Sequence, residues 1–547
     1  MNSSLLDIPI TEWSYDRVLK WRAETTPQRP FICFEDGAYQ TYGELWQSVC
    51  RLANGLSHAG VKPGDRVAIL ATNSLTAVHA WLAINVLGAA DGPINPAFRG
   101  QPLVHALTML GASIVVADHA LLPAIRDVES ELPNLAQAFH IGDARNLRDT
   151  PEFGRISVSP LQAVLTGDGS WSPAPVRFDQ ISSVLMTSGT SGPSKGVMVS
   201  HAQAILIARN SVEGMRVTDA DTFYVAHPIF HMSPRYCAIT AAMLVGARVW
   251  LDAGFKADRW LARVRRSAAT VTIGHGPLLE MIYAQPEQAD DADNGLTRLG
   301  TSPFPRHIAA AFEQRFGLKG IETWGMTEVG IPCWHPFDEP LRLGSCGKIL
   351  SEWFDVQVVD PETDLALPAG ETGELVVRSK YPATLMQGYL GRPDATAEAW
   401  RNLWFHSGDS GYIDPDGWVY FVDRLKDRIR RRAENISSYD IECAAQAFAG
   451  VAEAAAIGIP SEFAGDDDVK LCIVTMPGAQ ITPEALIGHL ATALPHHMVP
   501  RYIEIIAELP RTPTKKVQKA LLRKAGVTAA TWDRKQTGIV LRQIAGA

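Results

Sequence analysis

The sequence predicts an α/β fold: a large N-terminal domain of α/β sheet layers, a β-rich subdomain, and a smaller C-terminal α+β domain beginning near Lys426. Three observations carry this reading. Helical and strand-like patterns alternate through the first half of the chain. From Glu371 onward the pattern changes to short strands punctuated by Gly and Asp-Gly turns, as in GELVVRS, GYIDPDG and WVYFVDR. The 547 residues also exceed what one core covers, since domains average about 150 residues. The expected division is therefore 1–425 and 426–547.

Taken in order, Thr41 and Glu44 form a capping-box pattern ahead of an amphipathic run, and PGDRVAIL reads as a turn and a buried strand. The alternation continues through the helix-like TAVHAWLAINVLGAA, the apolar run SIVVAD, the strand SSVLM and the helix-like HAQAILIARNS. Such units build a mostly parallel sheet whose ligand crevice lies beyond the strands' carboxyl ends. Residues 167–176 read as a turn-rich connector and 285–294 as a polar, acidic loop.

Composition narrows the function. The chain has 46% hydrophobic and 20% charged residues, and 59 acidic against 50 basic side chains give a net charge of −9. That balance argues against a nucleic-acid partner, which calls for a basic field. Apolar stretches are broken by His, Asn, Asp and Pro before a membrane span is complete, and the N-terminus lacks a secretion-signal pattern. Seven dispersed cysteines without a CxxC pair fit a reducing, cytoplasmic setting. His227 and His231 have zinc-like spacing, but no second ligand pair accompanies them.

The segment MTSGTSGPSKGVMV places three glycines, five hydroxyl residues and Lys195 together, with a strand expected before it and a helix after it. Glycines admit an anion close to the backbone, hydroxyls donate to phosphate oxygens, and the lysine neutralises charge. It matches neither a Walker A loop nor a dinucleotide GxGxxG. TSGTSGPSKGV resembles the phosphate loop of the adenylate-forming superfamily of acyl-CoA synthetases, nonribosomal adenylation domains and luciferases. The family's loop has Pro directly before the lysine, whereas here Ser194 intervenes.

Further segments carry the resemblance along almost the whole chain. By likeness to the family, Thr187, Ser188, Gly189, Thr190, Ser191, Gly192 and Lys195 would bind phosphates. IETWGMTEVG resembles the aromatic-Gly-x-Thr-Glu motif. That likeness implies adenine stacking by Trp324, a segment with Gly325 and Met326, α-phosphate binding by Thr327, and Mg²⁺ held by Glu328. Gly300, Thr301, Ser302 and Pro303 correspond to the segment beside adenine and the acyl channel, and His231 to the aromatic-His position at the carboxylate entrance. Asp409 and Arg424 match the ribose-binding pair, Lys426 the hinge, Ala433 the loop of the second half-reaction, and Lys516 the catalytic lysine of a mobile C-terminal domain. Lys515 and Lys519 read as a solvated basic face, Arg430 to Arg432 as a basic helix end, and Arg235 as bordering the pocket but facing solvent.

AENISSYDIE and TPTKKVQK are most similar to the carnitine/crotonobetaine-CoA ligase-like branch. The resemblance implies an ATP-dependent carboxylic acid:CoA ligase that uses ATP, Mg²⁺ and coenzyme A, acts on a small-molecule acid, and is open to homodimer formation. Ala433 stands where the family has glycine, so an adenylating enzyme with an amine or carrier-protein acceptor remains an alternative. A non-catalytic nucleotide-binding protein and an ATP hydrolase are the other readings.

Overall fold

The computed structural model describes residues 4–142, 150–165, 174–187, 194–425, 429–431, 434–436, 438–461, 467–496, 498–512, 517–537 and 539. The architecture is mixed α/β, with a large N-terminal part and a smaller C-terminal part. Two large sheets dominate the former. One has seven strands, in the order Ser157–Pro160, Gln137–Ile141, Ile114–Asp118, Arg66–Leu70, Ala90–Pro93, Ile181–Thr187 and Lys195–Ser200. The other has nine, and its centre runs parallel through Pro30–Phe34, Arg248–Leu251, Thr222–Val225, Val271–Gly274, Arg298–Thr301 and Lys319–Met326.

The helices Leu75–Val86 and His201–Met215 lie between these sheets and touch strands of both. Their sequences explain the placement: LTAVHAWLAINV is apolar on nearly every face, and its residues from Ala80 to Val86 are all buried. A helix without a polar stripe is stable only where both sides are covered. The capping box expected at Thr41 is formed, with the Glu44 amide donating to Thr41 Oγ1 and Glu44 Oε2 accepting from the Thr41 amide at 2.8 Å.

The β-rich subdomain is an antiparallel sheet of Phe354–Val359, Gly373–Ser379, Phe405–Ile413 and Val419–Arg424. It starts earlier than the composition change at Glu371 suggests, because FDVQVV already alternates inward and outward residues. The smaller part holds the hairpin Ile429–Arg431 and Glu434–Ile436, and a four-stranded sheet starting at Val451. Arg430 and Arg431 therefore lie on a strand and not at a helix end. Helices Ser438–Gln446 and Pro483–Ala493 contribute to one apolar cluster on this sheet, and Leu522 of helix Lys519–Ala525 to another.

The two parts touch. Arg306 Nη1 donates to Asp440 Oδ1 at 2.9 Å, and the Ser438 amide donates to Asp423 Oδ2 at 3.0 Å. Lys519 is not solvated as expected: its ammonium pairs with Glu442 at 2.7 Å and donates to Ser438 Oγ, with both ion-pair partners 15% exposed. No helix among the described residues is long and apolar enough to cross a membrane.

Candidate active site

The expected phosphate loop connects two strands. Ile181–Thr187 and Lys195–Ser200 pair antiparallel, with Thr187 opposite Lys195 and Met186 opposite Gly196. The expected strand before the segment and helix after it are both present, the helix starting at His201 with Ser200 Oγ as its cap, and Val197 and Val199 add a further strand inside the segment. Thr187 and Lys195 thus flank the loop at its base. Ser188, Gly189, Thr190, Ser191 and Gly192 lie outside the described residues.

The WGMTE segment forms a second antiparallel turn. Lys319–Met326 pairs with Gly330–Trp334, which leaves Thr327 and Glu328 at its tip. Gly325 is required there, because a Cβ would stand 2.1 Å from the Gly330 carbonyl oxygen. Gln203, from the central helix, donates its amide to the Thr327 carbonyl at 3.0 Å and to the Glu328 carbonyl at 3.2 Å. The same tip accepts the Met386 amide at Glu328 O, 2.8 Å away.

Asp409 and Arg424 face each other on adjacent strands, and Arg424 Nε lies 2.7 Å from Asp409 Oδ1. Trp324 Nε1 donates to the other carboxylate oxygen, Oδ2, at 2.9 Å. The structure therefore brings Trp324, Asp409 and Arg424 into one group, with Trp324 and Asp409 buried and the Arg424 side chain 38% exposed. A carboxylate held at both oxygens has a fixed orientation while retaining lone pairs for further donors.

Gly300 and Thr301 end a strand adjacent to Lys319–Met326, and Thr323 Oγ1 donates to the Thr301 carbonyl at 3.3 Å. Thr301 Oγ1 in turn donates to the Pro303 carbonyl at 3.0 Å, across Ser302. A Cβ on Gly300 would meet Met215 Sδ at 2.8 Å, and one on Gly330 would meet Ile207 at 2.8 Å. His231 is half-buried, with its ring 4.1 Å from that of Phe230. His227 packs edge-on against His275 at 5.2 Å, and burial lowers its pKa to about 4. Lys426, Ala433 and Lys516 lie outside the described residues.

Arg235 differs from expectation. It is buried, 1% exposed, on the π-helical segment Ser233–Thr240, and its Nη2 sits 2.7 Å from Asp91 Oδ2. Its guanidinium also lies 4.1 Å above the Trp81 ring. The single-residue pattern could not reveal a counter-ion so distant in sequence.

Two supporting residues escaped the sequence reading. Glu374 accepts the Gly408 amide at 2.9 Å and contacts His406 Nδ1 at 2.8 Å, which fixes the turn immediately before Asp409. With Asp364 these residues resemble a metal-ligand set, but Arg401 already pairs with both carboxylates, 3.2 Å from Asp364 and 3.6 Å from Glu374. Tyr389 donates its hydroxyl to Glu328 Oε1 at 3.0 Å and carries Lys195 Nζ 4.4 Å from its ring centre. The sequence signal was the GELVVRS and QGYLGRP stretch between two recognised motifs.

With this geometry in place, comparison with known proteins is direct. Residues 19–390 match the AMP-binding enzyme family, and residues 440–516 match the AMP-binding enzyme C-terminal domain. The chain belongs to the AMP-binding enzyme family, within the adenylate-forming superfamily. A feruloyl-CoA synthase from Amycolatopsis sp is 31% identical over 492 residues, covering 89% of this chain and 94% of that protein. A crotonobetaine/carnitine–CoA ligase from Salmonella typhi is 28% identical, covering 88% and 93%. Among solved structures, ATP-bound MatB from Rhodopseudomonas palustris superposes with a TM-score of 0.83 at 25% identity, covering 94% of this chain and 99% of that one. The anthranilate CoA ligase AuaEII with anthranoyl-AMP gives 0.85 at 23% identity, covering 96% and 99%, and supports the fold.

Proposed function

We propose that this chain is an ATP-dependent carboxylic acid:CoA ligase, forming an acyl-adenylate with release of pyrophosphate and then, by attack of the CoA thiol, an acyl-CoA thioester with release of AMP. The observation that carries the reading is the linked Trp324–Asp409–Arg424 group standing beside the Thr327–Glu328 tip, in a chain whose relatives are named as CoA ligases and synthases. Asp409 is built to accept two ribose hydroxyls, and the Trp324 ring offers a π face for adenine.

In the first step the substrate carboxylate attacks the α-phosphorus, the bond to the β-phosphate oxygen breaks, and pyrophosphate leaves. Lys195, Thr327 and Lys516 supply positive charge and hydrogen bonds where negative charge accumulates. Glu328 fits a single hard-oxygen ligand for Mg²⁺: one of its oxygens is fixed by Tyr389, and Oε2 receives no donor among the described residues. A bound Mg²⁺ would neutralise phosphate charge there. In the second step, rotation of 426–547 about Lys426 would withdraw Lys516 and bring the Ala433 loop toward the thiol path.

His231 is assigned to the carboxylate entrance, and Gly300, backed by Met215, to the acyl channel. Arg235 is occupied by Asp91 and does not offer its charge to a second substrate carboxylate. An acid without a second carboxylate is the substrate class this supports. A cytosolic location, where ATP and CoA are supplied, and a homodimeric assembly accompany this reading. The test is pyrophosphate release across short, branched, cyclic and aromatic acids, with and without CoA. Acid-dependent release of AMP and pyrophosphate with CoA consumption supports it. ADP and phosphate as products, or no response to any acid, would refute it.

A further inference from the structure

Residues 386–390 form a strap between the two phosphate-side segments of the site. On one side it is stitched to Lys195–Ser200 by Met198 N to Gly388 O at 3.0 Å, Gln387 N to Met198 O at 2.8 Å and Leu390 N to Gly196 O at 2.8 Å. On the other side, Met386 N donates to Glu328 O at 2.8 Å. Tyr389 lies in this strap, 7% exposed, with its amide donating to Thr396 Oγ1 at 2.9 Å. Its backbone is therefore fixed, and so is the direction of its ring.

That ring meets two opposite charges by different surfaces. Its hydroxyl donates to Glu328 Oε1 at 3.0 Å, while the Lys195 ammonium rests 4.4 Å from the ring centre. Among the described residues Lys195 and Glu328 form no ion pair with each other and Lys195 has no carboxylate partner, each meeting Tyr389 instead. A lysine and a glutamate that reached each other would neutralise their charges mutually. Neither would then be available to a phosphate or a cation. A π face attracts the ammonium and a phenol steadies the carboxylate, yet neither cancels the charge it holds.

We propose that Tyr389 is a positioning residue for adenylation, holding Lys195 and Glu328 apart as separate charged groups, the first aimed at ATP phosphate and the second at the divalent cation. The proposal rests on the adenylate-forming reading of the site. Burial and the neighbouring Glu328 carboxylate push the phenol pKa far up, so the hydroxyl stays a donor throughout the working range.

The experiment measures equilibrium binding of ATP by calorimetry, with Mg²⁺ and with EDTA, for wild type, Tyr389→Phe, Tyr389→Leu and Glu328→Gln. The Phe variant keeps the ring face and loses the hydroxyl. Its gain in affinity from Mg²⁺ should fall roughly tenfold, the worth of a hydrogen bond to a charged group. Its metal-free ATP affinity should stay within about twofold of wild type, because the cation–π contact remains. The Leu variant should in addition bind metal-free ATP roughly three- to tenfold more weakly. In the Glu328→Gln background, Tyr389→Phe should add no further loss of the Mg²⁺ effect.

Wild-type affinities in the Phe variant, with and without Mg²⁺, would overturn the proposal. Equal weakening under both conditions would overturn it as well, since that is what a packing role produces. Thermal melting checks that each variant is folded, and the conservative Phe variant keeps the proposal testable if the Leu variant is not. A wild-type chain that bound no ATP would sink the functional reading together with this proposal. Wild-type MgATP binding and acid-dependent pyrophosphate release, with an unaltered Phe variant, would sink this proposal alone.

Discussion

The indole N–H of Trp324 donates to Oδ2 of Asp409 at 2.9 Å, so the residue expected to stack on adenine also orients the residue expected to hold the ribose. Trp324→Phe keeps an aromatic face and removes this donor. The KM for ATP should rise roughly tenfold, and the loss should be smaller with 2′,3′-dideoxy-ATP, which has no hydroxyls for Asp409 to accept. Steady-state kinetics with both nucleotides checks this. An equal loss with both would mean that Trp324 acts by stacking alone.

Lys516 is assigned to the first half-reaction. Lys516→Ala should lower acid-dependent ATP–pyrophosphate exchange by at least about a hundredfold, as loss of one transition-state donor does. Thioester formation from a synthetic acyl-adenylate and CoA should be largely retained. Undiminished exchange would remove Lys516 from the mechanism.

The Arg235–Asp91 pair is fully internal, with side chains 1% and 0% exposed, and Ser183 Oγ and Asn85 Nδ2 also donate to Asp91. Removing one partner leaves an uncompensated charge. Asp91→Asn should therefore destabilise the fold by about 3–5 kcal/mol, measured by denaturant unfolding. Replacing both by apolar residues, Asp91→Leu with Arg235→Met, should recover part of that loss. If the double variant is worse than the sum of the single ones, the pair is required for shape and not only for charge balance.

Glu322, on the strand that carries Trp324, has its pKa raised by burial from 4.5 to about 8, against the opposing effects of the Phe304 amide and Arg306. The unfolded chain loses this proton first, so Glu322 contributes stability below about pH 4.5 that is lost as pH rises through 8. Glu322→Gln cannot ionise. Its melting temperature should match wild type near pH 5 and exceed it by a few degrees at pH 8.5. A constant difference across that range would show that the carboxyl does not titrate there.

Much of the local structure was legible because it depends on neighbours in sequence. The Thr41 and Glu44 box, the apolar helix Leu75–Val86 and the strand Ile114–Asp118 follow from capping chemistry, all-round hydrophobicity and a short β-branched run. The same locality left one strand beside the phosphate loop unread. GVMVS carried no assignment of its own in the sequence, and pairing with Ile181–Thr187 makes it a strand.

The sequence by itself determined the α/β alternation and the smaller C-terminal part, because propensity and periodicity are properties of short stretches; the motif residues, from Lys195 through Trp324, Thr327 and Glu328 to Asp409, Arg424 and Lys516, were assigned by resemblance to the family. Tertiary structure decided which charges meet. It gave Arg235 to Asp91 and Lys519 to Glu442, and it set Tyr389 between Lys195 and Glu328, the latter 61 residues away. The physical reason is that a charge's environment is fixed by sheet pairing and burial between distant segments, which no local window contains.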